Sequence, residues 1–421
     1  MNPAHGGNAR RRGLHGRAIV VALIGAALVL AGCSSSSKNT GNDTGSGPSS
    51  SGDAGTKSSS SGTTPPAGPD AGLTISPAST AHANPVTPIV VKASKGTLQS
   101  VKVTNPKGLV VSGTYATGKT SWSTSEVLGY GKTYKIAVTA KASDGKVATK
   151  NSTVTTMNPQ TSFPSVVPPP ATTDIGVGMP LAVRFGKPIT AIKDRLAVQK
   201  MLSVTSSPKQ LGAWYWVTPT EVDYRGAEYW KAHSTLTLNI KIYGKDLGGG
   251  IYGQTDRSIT YHVHDSWVAV ADGNSESMTI KQNGVAVKTM PISMGKQSTP
   301  THLGTHVISA KDKVYRMNSC TYGVCSGPAS YISNEYYAER ISDDGEFVHE
   351  NPNSVGAQGS TNVSHGCINL NEANAIWFFD HMGVGDVVEV INSGGPQLPI
   401  GDRIGVWALS WPAWQAGNAN S

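Results

Sequence analysis

The stretch "TYKIAVTAK", residues 133–141, alternates apolar and polar side chains with a period of two. This alternation predicts a β-strand with one face buried and the other in solvent. The sequence "SDGK" at residues 143–146 is typical of a tight turn that leads into a second strand. We therefore predict an antiparallel β-sandwich of immunoglobulin type over residues 72–158. The predicted buried face consists of Tyr134, Ile136, Val138 and Ala140.

A Pro-rich segment, "NPQTSFPSVVPPP" at residues 158–170, predicts a boundary between two domains. Beyond it, "STLTLNIKI" at residues 234–242 again alternates apolar and polar side chains. Residues 159–265 are therefore predicted to form a second sandwich of the same type. Three tryptophans of this region are expected in the core rather than on a sugar-binding surface: Trp214, Trp216 and Trp230.

Residues 266–393 have the signals of a third, mixed β domain. Asn283 and Gly284, between two alternating runs, indicate a hairpin. One main helix is predicted after Asn371, which can cap it, and before Gly383. The Trp-rich residues 394–421 are predicted to form a short C-terminal subdomain. The predicted fold class is thus mainly β: two tandem immunoglobulin-like sandwiches, a mixed β domain with one main helix, and this subdomain.

The N-terminal region has the pattern of an export signal. Arginines precede an apolar run at residues 18–31, which is shorter than the ~20 residues of a membrane-spanning helix. The sequence "LAGC" at residues 30–33 resembles a bacterial lipoprotein signal, which implies cleavage before Cys33 and diacylation of its sulfur. We assign residues 1–33 to the signal peptide and residues 34–71 to a disordered Ser/Gly/Pro linker. The remainder is expected outside the cell, lipid-anchored to the outer face of the membrane and reaching into the cell wall.

Half of the formal net charge of +8 is supplied by Arg10, Arg11, Arg12 and Arg17 near the N-terminus. The remaining +4 is weak and scattered along the chain. We therefore expect no nucleic-acid partner. The protein is expected to act as a monomer.

The stretch "FVHENPNSVGAQGSTNVSHGCINL", residues 347–370, contains two histidines and one cysteine. A metal site is disfavoured because His365 and Cys367 are spaced i, i+2 with no further cysteine or carboxylate at ligand spacing. We expect no metal and no cofactor. A disulfide through Cys367 is also disfavoured, because Cys320 and Cys325 are only five residues apart and form the expected pair. Two free thiols at these positions are the alternative.

Cys367 is then an unpaired cysteine close to two histidines and just before the predicted helix. An imidazolium and a helix N-terminus both lower the pKa of a thiol, and the thiolate is the nucleophilic form. Cys367 is therefore a candidate nucleophile. The residues alone allow either His349 or His365 as its base.

The same stretch resembles the signature of YkuD-type L,D-transpeptidases: a histidine, fourteen residues, and then Ser-His-Gly-Cys, a hydrophobic residue and Asn. Other stretches resemble this family too, among them "SMGKQSTPTHLGTH", "MNSCTYGV" and "FFDHMGVGDVVEVIN". The likeness extends over both sandwiches and the Trp-rich tail, as in mycobacterial lipoprotein members. It implies that Cys367 is the nucleophile, that His349 is the base and that His365 orders the loop.

The resemblance also implies roles for neighbouring groups. Backbone N–H groups of Gly366 and Cys367 would face the developing oxyanion. The backbone carbonyl of Glu350 would orient the imidazole, at a position where the family often has Ser, and its carboxylate could raise the imidazole pKa. Substrate contacts are expected from Tyr331, Asn369, Met317 and Ser364.

Some positions stay ambiguous on sequence. Tyr336 and Tyr337 are alternatives to Tyr331 as the substrate-contacting tyrosine, and Trp377 is expected in the core. Asp246 lies where some relatives carry calcium, but Gly249 replaces the acid that would help, so we expect an exposed turn.

The implied activity is acyl transfer between peptidoglycan stem peptides. Cys367 would attack the carbonyl of the third stem residue and release D-Ala, and the acyl group would pass to an amine of another stem in a 3→3 cross-link. The family also implies capture by carbapenems. A hydrolase acting on the same stem and a non-catalytic wall-binding lipoprotein are the alternatives.

Overall fold

The structure is a computed structural model that describes residues 70–79, 82–327, 330–402 and 404–418. The predicted signal peptide, Cys33 and most of the predicted linker lie outside the described residues. The described part contains 27 strands and three α-helices, so the predicted mainly β fold class is confirmed. None of these three helices is both long enough and apolar enough to cross a bilayer.

The first sandwich consists of two four-stranded sheets, in the orders β1-β3-β6-β5 and β2-β8-β7-β4. All four apolar side chains predicted to face inward from residues 133–141 are buried in its core. The predicted turn joins β7 to β8 and has Gly145 at φ 86°. The strands are β1 (Leu73–Ser76), β2 (His82–Ala83), β3 (Val90–Ala93), β4 (Gly96–Thr104), β5 (Gly113–Tyr115), β6 (Ser121–Thr124), β7 (Thr133–Ala142) and β8 (Val147–Thr156).

The second sandwich pairs the sheets β10-β12-β15-β14 and β11-β18-β16-β13 and adds the two-stranded sheet β17-β9. Trp216 and Trp230 are buried in its core, and the half-buried Trp214 packs against it. Helix α1, which the sequence analysis did not predict, precedes β13. The elements are β9 (Gln160–Ser162), β10 (Pro164–Val167), β11 (Asp174–Ile175), β12 (Leu181–Phe185), α1 (Ile192–Gln199), β13 (Leu202–Ser207), β14 (Gly212–Thr218), β15 (Glu221–Gly226), β16 (Thr235–Ile240), β17 (Ile251–Gly253) and β18 (Arg257–Val263).

The third domain contains a five-stranded sheet, β21-β20-β19-β27-β22, and a four-stranded sheet, β23-β24-β25-β26. Helix α2 contributes Phe378 to the core that contains side chains of both sheets. As predicted, the Asn371 side chain caps α2 by accepting a hydrogen bond from the Asn374 N–H at 2.9 Å. The elements are β19 (Trp267–Asp272), β20 (Ser277–Gln282), β21 (Val285–Pro291), β22 (Gly304–Val307), β23 (Ala310–Asn318), β24 (Ile332–Arg340), β25 (Phe347–Glu350), β26 (Ile368–Leu370), α2 (Glu372–His381) and β27 (Val387–Ile391).

The C-terminal segment packs on the second sandwich. Helix α3 (Trp411–Ala416) contacts β14, and the Trp414 indole N–H donates to the Ala213 carbonyl at 2.9 Å. The Arg225 guanidinium lies 4.5 Å from the centroid of Trp407 and 4.8 Å from that of Trp414. The segment that follows the third domain in the sequence therefore packs against the second sandwich.

Candidate active site

Strand pairing brings His349 and Cys367 together. Strand β25 pairs in parallel with β26, with His349 opposite Asn369, and Cys367 immediately precedes β26. Both side chains are buried, with 4% of His349 and 7% of Cys367 exposed. The 17 residues between them in the sequence thus leave from and return to two adjacent strands of one sheet, which explains why the spacing of the two residues is informative.

The imidazole of His349 is held on one side and faces the thiol on the other. Its Nδ1 lies 2.7 Å from the Glu350 carbonyl oxygen and 3.0 Å from Glu335 Oε2. These acceptors favour the tautomer with hydrogen on Nδ1, which leaves Nε2 to accept a proton. Burial lowers the pKa of His349, but interactions with Cys367 and Glu335 outweigh burial and raise it to about 10. The Cys367 thiol also lies 3.6 Å from the Gly345 carbonyl oxygen.

Glu335 is the site residue that the sequence analysis missed. It lies on β24, next to β25 in the sheet. The pairing of these strands is irregular between Tyr336 and Glu339, and Tyr337 has φ 49°. Burial raises the pKa of Glu335, but the hydrogen bond from His349 outweighs this and brings it below its usual value. The carboxylate beside the imidazole is therefore that of Glu335, whereas Glu350 contacts it through its backbone carbonyl.

The loop before Cys367 is held by its own hydrogen bonds. The Ser364 hydroxyl donates to the Cys367 carbonyl at 2.6 Å and accepts from the Gly366 N–H at 3.1 Å. The Thr301 hydroxyl donates to the Gly366 carbonyl at 2.7 Å. Gly366 has φ 135°, a conformation that side-chain-bearing residues rarely adopt. Of the two amides expected to face an oxyanion, that of Gly366 is thus already engaged within the loop.

His365 lies at the mouth of the site. It is exposed, its Nε2 is 3.2 Å from Lys296 Nζ, and its ring centroid is 5.9 Å from that of Tyr331. Burial and the neighbouring Lys296 charge lower the pKa of His365. The two histidines therefore have opposite electrostatic environments, because only His349 faces a carboxylate.

A pocket of about 820 Å³ opens above the thiol and is lined by all four residues expected to contact substrate. The Tyr331 hydroxyl donates to Met317 Sδ at 3.0 Å. Asn369 is buried, and its Oδ1 has no hydrogen-bond partner among the described residues. Such an orphaned acceptor is costly unless a ligand donates to it. Ser364 differs from the others because its hydroxyl is used within the loop.

The three aromatic residues that the sequence left ambiguous have different surroundings. Tyr336 and Tyr337 both line the pocket. Tyr336 is exposed, whereas the Tyr337 ring packs against Phe379, with centroids 5.8 Å apart. Trp377 stacks on His381 at 4.1 Å between centroids and packs against the domain core, as expected.

Two groups of possible metal ligands lie elsewhere. Asp246 is exposed, and its Oδ1 accepts from the Gly248 N–H at 2.8 Å, as expected for a turn. His302 Nδ1 lies 3.1 Å from Glu346 Oε1 and 3.3 Å from Asp344 Oδ2. These three residues could hold a metal ion by distance, but their mutual hydrogen bonds already compensate the buried Glu346 carboxylate.

A disulfide joins Cys320 and Cys325 near the pocket wall. The short helical turn at Ser319–Tyr322 includes the first of these cysteines. The Ser319 N–H donates to the Tyr331 carbonyl at 3.0 Å, and its hydroxyl accepts from the Tyr331 N–H at 2.9 Å. The bridged segment therefore borders the chain that carries Tyr331.

We expect reduction of the purified soluble protein to add the mass of two hydrogen atoms. Alkylation before and after reduction should place both new thiols in the peptide that contains Cys320 and Cys325, because Cys367 is the free cysteine of the described chain. Intact-protein and peptide mass spectrometry measure this. An unchanged mass would mean that the purified protein carries two free thiols there.

Fold and site together define a protein with two β-sandwiches ahead of a mixed β domain that contains a buried Cys–His pair. Residues 80–246 match the bacterial Ig domain family, and residues 266–390 match the L,D-transpeptidase catalytic domain family. The chain is 40% identical over 336 residues to L,D-transpeptidase 2 of Mycobacterium tuberculosis, which covers 79% of this chain and 81% of that one. The chain belongs to the L,D-transpeptidase family.

Further relatives are similar to the chain. L,D-transpeptidase 5 of the same species is 34% identical over 354 residues, covering 81% of this chain and 76% of the relative. A solved L,D-transpeptidase in complex with imipenem is 32% identical, covers 54% of this chain and 97% of its own, and superposes with a TM-score of 0.47.

Proposed function

We propose that this protein forms 3→3 cross-links between peptidoglycan stem peptides through a thioester on Cys367. The observation that carries the proposal is the buried His349 imidazole, which faces the thiol inside a pocket and is fixed by Glu350 and Glu335. A base that is oriented by a further group and adjacent to a thiol is the arrangement of a covalent acyl-transfer site. The proposal follows the family to which the chain belongs.

The reaction has two halves. Cys367 Sγ attacks the carbonyl carbon of the third stem residue while its proton is held on His349 Nε2, in line with the raised pKa of this imidazole. The C–N bond to D-Ala then breaks, and its amine leaves with the proton from His349. In the second half, the amine of another stem attacks the thioester and gives its proton to His349. Return of that proton to the sulfur releases the cross-linked product and restores the thiol.

Three contacts support binding of a peptide in the pocket. The unpaired Oδ1 of Asn369 can accept a substrate N–H. Tyr331 and Met317 form an apolar wall that their own hydrogen bond fixes in place. The oxyanion of the tetrahedral intermediate would be stabilised by the backbone amide of Cys367. The Ser364 hydroxyl would hold the loop in which this amide lies.

The substrate implies a place of action outside the cytoplasm. We propose that the signal peptide is removed, that Cys33 carries the lipid anchor and that residues 34–71 connect it to the folded domains. At about 5–6 Å times the square root of the residue number, such a linker would reach on the order of 35 Å.

The soluble form, incubated with a disaccharide tetrapeptide, is expected to yield a cross-linked dimer and free D-Ala. Mass spectrometry of the products distinguishes the outcomes, because a hydrolase would give the tripeptide monomer instead. Cys367→Ala should give neither product, since it lacks the nucleophile. D-Ala release that survives this substitution would refute the proposed chemistry.

A further inference from the structure

The positive charge of the chain is concentrated in one domain. Residues 72–158 contain ten lysines and two acidic residues, a net charge of +8 that equals that of the whole chain. Residues 159–421 contain 19 basic and 22 acidic residues. The expectation of a scattered charge is therefore wrong, because it did not group the charges by domain. All ten lysines of the first sandwich are exposed.

Two of these lysines flank a trough on the outer face of the sheet β2-β8-β7-β4. Strand register places Lys102 opposite Ala137, and Lys135 opposite Thr104 on one side and Thr153 on the other. Lys102 and Lys135 are thus diagonal neighbours on one face, at a separation of roughly 7–8 Å. The small side chain of Ala137 leaves room between them, and the trough measures about 720 Å³.

Neither of these lysines has a carboxylate partner. Among the described residues of the first sandwich and its N-terminal flank, the ion pairs are Lys95 with Asp70 and Lys146 with Asp144. Lys102 and Lys135 therefore place two uncompensated positive charges beside one cavity. The two ammonium groups repel each other, and an anion bound between them would reduce this repulsion.

The remaining lining favours a hydroxylated ligand over a lipid surface. Thr104, Thr153 and Asn151 contribute hydroxyl and amide groups that can pair with sugar hydroxyls. The apolar lining residues are the small Ala137 and the buried Ile136, so the trough presents no large side chain for insertion into a bilayer. The charged residues of the trough are lysines and not arginines. A lysine ammonium is a point charge that does not require the bidentate geometry of arginine, so it suits a polymer with repeated negative charges.

We propose that this trough binds peptidoglycan, through the sugar hydroxyls of its glycan strands and the carboxylates of their stem peptides, and holds the enzyme on its polymeric substrate. The proposal rests on the proposed function only for the identity of the polymer. Each exposed charge contact is weak, so useful retention comes from many repeats along one polymer. Binding should therefore weaken as salt is raised, because the Debye length is about 8 Å at physiological ionic strength and shorter above it.

The test is cosedimentation of the soluble chain from residue 34 onward with purified peptidoglycan. Lys102→Glu/Lys135→Glu should reduce the bound fraction at least about fivefold at low salt, since two attractive contacts become repulsive. The matched control is Lys92→Glu/Lys119→Glu, which makes the same charge change at exposed positions outside the trough. It should stay within about twofold of the parent. Lys102→Gln/Lys135→Gln removes both charges without reversing them and should give an intermediate loss of binding. This variant shows whether the loss in the charge-reversed protein comes from the charges or from misfolding.

Three outcomes would overturn the proposal. Equal losses in the trough and control variants would mean a diffuse charge effect, and no loss in either would mean no contribution from these lysines. Tighter binding to phosphatidylglycerol vesicles than to peptidoglycan would mean a membrane surface. Release of D-Ala from a soluble disaccharide tetrapeptide should be unchanged in Lys102→Glu/Lys135→Glu. If no variant releases D-Ala, the proposed function fails, while the binding comparison still decides this proposal.

Discussion

Replacement of His349 by alanine is expected to slow acylation of Cys367 by imipenem about a thousandfold or more. General-base help from a positioned side chain is worth roughly 10²–10⁴-fold, and His349 is the imidazole that interacts with this thiol. His365→Ala should slow acylation only a few-fold, because that ring contacts Lys296 and Tyr331 at the pocket mouth. Intact-protein mass spectrometry over time measures the gain of the drug mass in each variant.

The two histidine variants control for each other, since each removes one imidazole from the same pocket. Unfolding midpoints in urea should accompany the rates, because His349 is buried and its loss leaves a cavity. A folded His349→Ala protein that acylates normally, with His365→Ala inactive, would reverse the assignment of the base. Alkylation by iodoacetamide at neutral pH should follow the same order, because it reports the reactivity of the sulfur without a lactam.

The parts of the fold that could be predicted from sequence are those set by local periodicity. Residues 133–141 alternate with a period of two, and their apolar set is buried. Asn371 starts a helix because its side chain accepts from a backbone N–H that has no partner within the helix. Helix α1 was missed because its sequence "IKDRLAVQ" mixes charged and apolar residues and buries only Val198.

Long-range contacts could not be predicted in this way. Glu335 reaches His349 only through the irregular register between β24 and β25, and a one-residue change of register turns a side chain to the other face. The packing of Trp414 on β14 joins residues about two hundred positions apart. The spacing of His349 and Cys367 could be recognised because both ends of their connection are fixed by adjacent parallel strands.

Glu335→Gln is expected to lower the acylation rate at neutral pH about tenfold to a hundredfold. The Glu335 carboxylate helps to raise the pKa of His349 to about 10, so removing its charge lowers that pKa. Loss of the carboxylate of a Ser-His-Asp triad costs about 10⁴-fold because the wrong tautomer forms. The loss should be smaller here, because the Glu350 carbonyl still accepts from Nδ1 at 2.7 Å.

The pH profile separates this electrostatic role from a structural one. A raised imidazole pKa keeps His349 protonated up to about pH 10, so the alkaline limb of the acylation rate should fall through that range. In Glu335→Gln the midpoint of this alkaline limb should shift to a pH that is lower by at least about one unit, since a carboxylate in contact shifts a pKa by that much.

Glu350→Gln is the matched control, because it makes the same charge change in the residue next to His349, whose contact with the imidazole is the backbone carbonyl. Its rate and alkaline limb should stay close to those of the parent. An unmoved limb in Glu335→Gln, or an equal shift in Glu350→Gln, would mean that Glu335 does not set the basicity of His349. The imidazole would then depend on the Glu350 carbonyl and the sulfur alone, and the Glu335 carboxylate would serve only to pack β24 against β25.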